Sequence, residues 1–122
     1  MREDVRSEFV GVVRTTRAIG QLAPSATTAT TLYTVPKKRI ATGRVFVCER
    51  GNAVATYRIA IREDGDALAN EHYVRYNEGL TAYESQVTEE LSLDEDDVIT
   101  VYASTADLSF SFLGELEPKD TA

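Results

Sequence analysis

The chain contains few of the side chains on which catalysis usually depends. Its only histidine is His72 and its only cysteine is Cys48. A Ser-His-Asp triad would have to use His72, yet the sequence contains no Gly-x-Ser-x-Gly turn of the kind that presents a nucleophilic serine. A closed zinc site needs more His or Cys ligands than these two residues supply. We therefore expect no enzyme, no metal site and no cofactor.

Cys48 ends the apolar run Val-Phe-Val-Cys at residues 45–48. A single cysteine cannot form a disulfide within the chain, and a thiol in an apolar strand usually behaves as a small hydrophobic side chain. We expect Cys48 to be buried and unreactive.

Acidic residues are concentrated in two short loops, at residues 63–66 and 94–97. Calcium prefers several carboxylate and carbonyl oxygens, but neither loop has the twelve-residue spacing of a calcium-binding hand. We interpret them as solvated turns, with calcium binding as the alternative. The net charge of -7 disfavours broad contact with nucleic acid, and the basic cluster at residues 37–39 is short.

Tyrosine offers an apolar ring with a polar tip and is common in binding grooves. Tyr73, Tyr76, Tyr83 and Tyr102 could line a groove for a sugar or a peptide. We single out Tyr73, Tyr76 and Tyr83 as possible partner-binding residues. A carbohydrate-binding platform would require these three rings to be exposed and coplanar; otherwise they are half-buried packing residues.

Large apolar side chains alternate with small or polar ones along most of the chain. Leu108, Phe110 and Phe112 are separated by single serines, and residues 99–103 and 57–61 show the same period of two. This period is typical of half-buried strands. Turn residues such as those at 50–52 and 63–66 separate about eight such segments, and no segment has the spacing of a long helix. We predict an all-β protein, an antiparallel β-sandwich that could be of the jelly-roll type.

The length suits a single domain. We divide it into an N-terminal arm or peripheral strands at residues 1–28, a β-sandwich at residues 29–117 and a C-terminal tail at residues 118–122. The apolar segments are far shorter than the roughly 18 residues of a membrane span, and the N-terminus lacks the pattern of a secretory signal. We expect a soluble, unprocessed chain with no membrane contact.

An ordered series of strand and turn segments from residue 31 to residue 114 resembles a family of small virion structural proteins of tailed viruses. Its parts are residues 31–36, 47–51, 57–62, 67–69 with 72–73, and 97–110. The resemblance implies a non-enzymatic structural role in the virion, as a capsid decoration or cement protein or as a tail-associated component. Its partners would be other virion proteins, such as the major capsid or tail proteins.

A virion component of this kind needs a rigid sandwich and many copies placed by symmetry. We therefore expect a homo-oligomer, with a trimer favoured, in which the N-terminal arm adds a strand to a neighbour. The alternative is a small carbohydrate- or receptor-binding β-sandwich module that uses the tyrosines named above.

Overall fold

The computed structural model describes residues 17–119, which form nine strands and two single-turn 3-10 helices. The strands are β1 (Arg17–Leu22), β2 (Thr30–Thr34), β3 (Arg39–Glu49), β4 (Ala55–Arg62), β5 (Tyr73–Leu80), β6 (Ser85–Val87), β7 (Leu91–Leu93), β8 (Val98–Ala103) and β9 (Leu108–Pro118). The helical turns are Glu63–Gly65 and Asn70–His72.

The strands form two antiparallel sheets, which confirms the predicted β-sandwich. The five-stranded sheet has the order β1-β9-β3-β6, with β7 also paired to β3, and the four-stranded sheet has the order β2-β8-β4-β5. If β6 and β7 are counted as two halves of one edge strand, every connection except β4 to β5 crosses from one sheet to the other. This order is that of a jelly roll, two Greek keys folded together.

The two longest strands, β3 and β9, are paired over their whole length from Arg39 opposite Pro118 to Glu49 opposite Leu108. Their inward residues alternate as the sequence predicts, with Phe110 and Phe112 buried among residues of both sheets. Phe110 meets Tyr57 of the four-stranded sheet edge-on, with ring centroids 6.2 Å apart. These large side chains hold the two sheets together.

A chain of side-chain hydrogen bonds also joins the two sheets, from β4 through β6 to β5. The hydroxyl of the buried Tyr57 donates to Oε1 of Gln86 in β6 at 2.7 Å, and Nε2 of Gln86 donates to the carbonyl of Gly79 in β5 at 3.0 Å. Burial raises the pKa of Tyr57, so this hydroxyl stays protonated and remains a donor.

One expectation for β3 is wrong. Cys48 is exposed, because Val45, Val47 and Glu49 occupy the inward positions of β3 and the residues between them point outward. The strand paired with β3 at this edge is divided at Thr88 into β6 and β7. The buried Thr88 hydroxyl accepts from the Val45 N–H at 3.0 Å, so a side chain replaces a carbonyl in the ladder at this point.

The proposed arm is divided between described and undescribed residues. Residues 1–16 and 120–122 lie outside the described part of the chain. Residues 17–22 form β1, which pairs with β9 at the edge of the five-stranded sheet. Ile19 and Leu22 of β1 pack against the core, so this strand belongs to the sandwich. At the other end, β9 continues to Pro118.

Candidate functional site

The outer face of the four-stranded sheet contains a cluster of tyrosine rings around one arginine. The guanidinium carbon of Arg58 in β4 lies 4.2 Å from the ring centroid of Tyr102 in β8 and 4.4 Å from that of Tyr76 in β5. Arg58 and Tyr102 are directly opposite each other in the β4–β8 ladder. We call Arg58, Tyr73, Tyr76, Asn77 and Tyr102 the Tyr–Arg cluster.

A register shift in the sheet brings two residues of β5 to Arg58. The pairing of β4 with β5 passes from Tyr57 opposite Glu78 to Ile59 opposite Arg75, so Tyr76 and Asn77 both lie opposite Arg58. Asn77 adopts the left-handed conformation, with φ of 52°, which asparagine tolerates better than most residues. Its Oδ1 accepts from Nε of Arg58 at 2.8 Å. The guanidinium is therefore fixed by two rings and one hydrogen bond.

The terminal nitrogens of Arg58 have no partner within residues 17–119. Neither Nη atom donates to an acceptor there, and no Asp or Glu in that range forms an ion pair with Arg58. Other arginines are bound differently: Arg62 donates to the carbonyls of Gly65 and Asp66, and Arg75 pairs with Glu89. Arg58 thus has a fixed orientation and unused donors.

The structure brings together two of the three predicted partner-binding tyrosines. Tyr73 and Tyr76 are in contact, with centroids 4.9 Å apart and ring planes at 83°, and Tyr76 is 54% exposed. Tyr83, 69% exposed, lies in the loop after β5, where its N–H donates to the Gly51 carbonyl at 3.1 Å. The rings of Tyr73 and Tyr76 are nearly perpendicular, so they do not form the coplanar platform that the carbohydrate-binding alternative requires.

Arg58 is not among the binding residues predicted from the sequence. A usable signal was present, since Arg58 lies between Tyr57 and Ile59, whose alternation predicts that it points away from the core. Its partners Tyr76 and Tyr102 come from separate strands, and their approach depends on sheet order and on the register shift in β5.

The outer face of the five-stranded sheet has a different character. Outward residues in three adjacent rows across β6, β3, β9 and β1 carry no charge apart from Arg44, the β3 member of the third row; we call these nine uncharged residues the uncharged face. Its members are Ser85, Cys48 and Ser109 in the first row, Val87, Phe46, Ser111 and Gln21 in the second, and Leu113 and Ala18 in the third. Phe46 and Val87 are a cross-strand pair and are 40% and 43% exposed.

Arg44 borders this face. It is opposite Leu113 in the ladder, and its Nη1 donates to the Thr88 carbonyl at 3.0 Å, which holds the charged group at the sheet edge. Elsewhere the chain is strongly acidic, so a continuous uncharged area with exposed Phe46 and Val87 at its middle is unusual for this molecule.

The two acidic loops meet at one end of the sandwich and border an open cavity of about 480 Å³. The carboxylate of Asp97 links them, because it accepts from the N–H of Asp64 and from the N–H of Asp94, each at 2.9 Å. Lys119 donates to Asp94 and lowers the pKa of that carboxyl, with help from the Glu95 N–H. Within residues 17–119 no three His, Cys, Asp or Glu side chains are arranged to hold a metal ion.

The remaining candidate residues have structural partners. Nδ1 of His72 accepts from the N–H of Ala69 at 3.0 Å and closes the helical turn before β5. Lys37, from the basic cluster, forms an exposed ion pair with Asp96 at 2.6 Å.

No helix in the described part of the chain is long and apolar enough to cross a membrane. In comparisons with known proteins, no family model, no curated protein and no solved structure matches this chain.

Proposed function

We propose that this chain is a non-enzymatic structural protein of a tailed-virus virion, a capsid decoration or cement protein or a tail-associated component, and that it acts as a homo-oligomer. The assignment to a virion is supported by the resemblance carried by residues 31–114. The jelly roll is compatible with it, because viral capsid proteins use this fold, as lectins also do. A fold alone does not specify function, so the assembly role needs support from surfaces.

The uncharged face is the observation that carries the assembly role. Two copies of a chain with net charge -7 repel each other over most of their surface. The uncharged face removes that repulsion over nine residues of four strands, and it combines the apolar pair Phe46 and Val87 with neighbouring serines. An apolar centre with a polar rim is the usual anatomy of a protein interface.

The size of this face predicts a weak contact. From ordinary strand spacing, the nine residues cover roughly 300 Å² per copy. A pair of copies would bury about 600 Å², less than the roughly 1,200–2,000 Å² of stable complexes. Such a contact becomes effective when other contacts place many copies side by side, as in a virion.

The stoichiometry follows from symmetry. Two copies that join through the same face are related by a two-fold axis and form a pair. The trimer expected from the sequence requires a head-to-tail contact instead, for which β1, β2 and β5, the edge strands among residues 17–119, are candidates. Light scattering on the full-length protein over a range of concentrations distinguishes a pair from a closed trimer.

The virion assignment is tested by mass spectrometry on tailed-virus particles purified from the host whose genome encodes this chain. We expect its peptides in the particles at many copies each, and we expect them to remain after nuclease treatment and salt washes. Absence of the peptides from intact particles would contradict the virion assignment.

The self-association is tested with the native Cys48, which lies within the uncharged face. We expect a bismaleimide to cross-link the full-length protein into pairs at high concentration. The variant Phe46→Asp should abolish the cross-link, whereas Val54→Asp, which adds the same charge at an exposed apolar residue of the β3–β4 loop, should leave it intact. Equal cross-linking of the two variants would refute the contact.

A further inference from the structure

We propose that Arg58, held between Tyr76 and Tyr102, is a binding point for a carboxylate group on an acidic segment of a partner protein. The site lies on the outer face of the four-stranded sheet, whereas the uncharged face belongs to the other sheet. It is therefore a second surface, and the inference does not depend on the proposed function.

The orientation of Arg58 is set before any ligand arrives. An arginine on a surface usually loses much side-chain freedom when it binds. Here the guanidinium of Arg58 is already held by two aromatic rings, whose centroids lie 4.2 and 4.4 Å from its central carbon. A 2.8 Å hydrogen bond from Nε to Asn77 holds it as well. Preorganisation of this kind increases affinity, because less freedom is lost in the complex.

The unused donors define the chemistry of the ligand. The Nη atoms of Arg58 donate to no acceptor within residues 17–119. The fork formed by these two nitrogens is therefore free to bind two oxygens at once. Carboxylates and phosphates both match this fork. The guanidinium carbon of Arg58 lies over the rings of Tyr76 and Tyr102. We take the ligand to be a carboxylate carried by a peptide, because exposed apolar side chains adjoin this cluster.

The surroundings favour a protein as the source of the carboxylate. Tyr76, which contacts Arg58, is exposed, as is Val74 two residues before it in β5, and Tyr73 packs edge-on against Tyr76. Tyrosine and arginine are the residue types most enriched among those that dominate protein interfaces. A small acid would contact the guanidinium but leave these apolar side chains in water, whereas a peptide segment can cover both.

The test is a titration of the isotope-labelled full-length protein followed by NMR, with hexaglutamate as the probe and hexaglutamine as the uncharged control. We expect hexaglutamate to shift the resonances of Tyr76, Asn77 and Tyr102, and hexaglutamine to leave them in place. Arg58→Gln should weaken binding at least tenfold and Arg58→Lys at least threefold, because lysine keeps the charge but lacks the fork. Arg39→Gln, at an exposed arginine of β3, should bind as the parent does.

Three results would overturn the proposal. Hexaglutamate could bind Arg58→Gln as tightly as it binds the parent, which would show that Arg58 is not the binding point. Glucuronate could bind as tightly as the peptide, which would identify a site for small acids. The protein could associate with itself through Arg58 without peptide, as judged by light scattering on the parent and on Arg58→Gln, and the occupant would then be a second copy. Retained dispersion in the spectra of Arg58→Lys verifies folding.

Discussion

At the scale of single residues, Asp97 is a buried acidic side chain that joins two loops. Only 9% of it is exposed, and its two oxygens accept from backbone N–H groups of two different loops. Hydrogen bonds to a charged acceptor are stronger than neutral ones, and loss of the acceptor leaves the donors unpaired. The acidic end of the sandwich therefore depends on one carboxylate.

We predict that Asp97→Ala lowers the free energy of unfolding by about 2–3 kcal/mol, because two N–H groups lose their acceptor. Asp97→Asn should cost less, since its amide oxygen can still accept from one of them. Asp66→Asn is the control, because the exposed Asp66 carboxylate has no hydrogen bond in the described part of the chain, and it should cost less than about 0.5 kcal/mol. Urea unfolding measures all three. An Asp97→Ala variant as stable as Asp66→Asn would contradict this role.

A second residue-scale prediction concerns pH. The N–H and hydroxyl of Thr81 donate to Glu84 and lower the pKa of its carboxyl below the ordinary 4.5. A lowered folded-state pKa means that the unfolded chain binds the proton more readily, so the stabilisation is complete above about pH 5 and is lost as the pH falls below 4.5. Between pH 5 and pH 3, urea midpoints should fall more steeply for the parent than for Glu84→Gln.

The variant Thr81→Val provides a check on that cause. It removes the hydroxyl bond to Glu84 but keeps the N–H bond, so its pH dependence should lie between those of the parent and Glu84→Gln. Identical pH profiles for the three proteins would show that these bonds do not set the pKa of Glu84.

At the scale of the elements, the pairing of β3 with β9 depends on two glycines that face each other. Gly43 is opposite Gly114, and a Cβ atom on Gly43 would lie 2.6 Å from the Gly114 Cα and would overlap the Leu113 carbonyl. The atoms that would clash belong to the backbone of a paired strand, so they cannot move without disrupting the ladder. Glycine is used here because the backbones approach closely.

We predict that Gly43→Ala destabilises the protein by about 3 kcal/mol or more, since overpacking against backbone cannot be relieved by a change of rotamer. Gly79→Ala is the matched control. Gly79 also lies in a strand, β5, but a Cβ there would meet no atom within 4 Å. That change should alter stability by less than about 1 kcal/mol. Thermal unfolding of both variants checks the prediction, and equal melting temperatures would refute it.

At the scale of the whole molecule, β1 links the N-terminal residues to the sandwich. It pairs with β9, and Ile19 and Leu22 pack against the core. A test of the N-terminal arm by truncation should therefore stop before Arg17, because removal of residues 1–28 would also delete this strand and leave one side of β9 unpaired.

We predict different results for two truncations. Removal of residues 1–16 leaves every described strand in place and provides the reference melting temperature. Removal of residues 1–22 takes away two partly buried side chains worth about 1 kcal/mol each, so the melting temperature should fall by about 10 °C. The new edge of β9 should also promote association, measurable by light scattering. Equal melting temperatures for the two truncations would contradict a structural role for β1.

The alternation of apolar and polar residues along the sequence was sufficient to predict a β-sandwich. Leu108, Phe110 and Phe112 predict an inward face for β9 from a period of two, and turn residues at 50–52 predict the reversal between β3 and β4. These features depend on neighbours in sequence, because successive side chains of a strand point to opposite faces. The antiparallel sandwich follows from several such strands with one apolar face each.

The candidate sites depend on contacts between residues distant in sequence. Arg58 meets Tyr76 and Tyr102 only because β4 lies between β5 and β8 and because the β5 register shifts opposite it. Cys48, predicted to be buried, is exposed on the uncharged face because β3 keeps strict alternation through Glu49, an acidic residue in an inward position. Sheet order and register come from long-range pairing and core packing, and neither is encoded by the local pattern of a single strand.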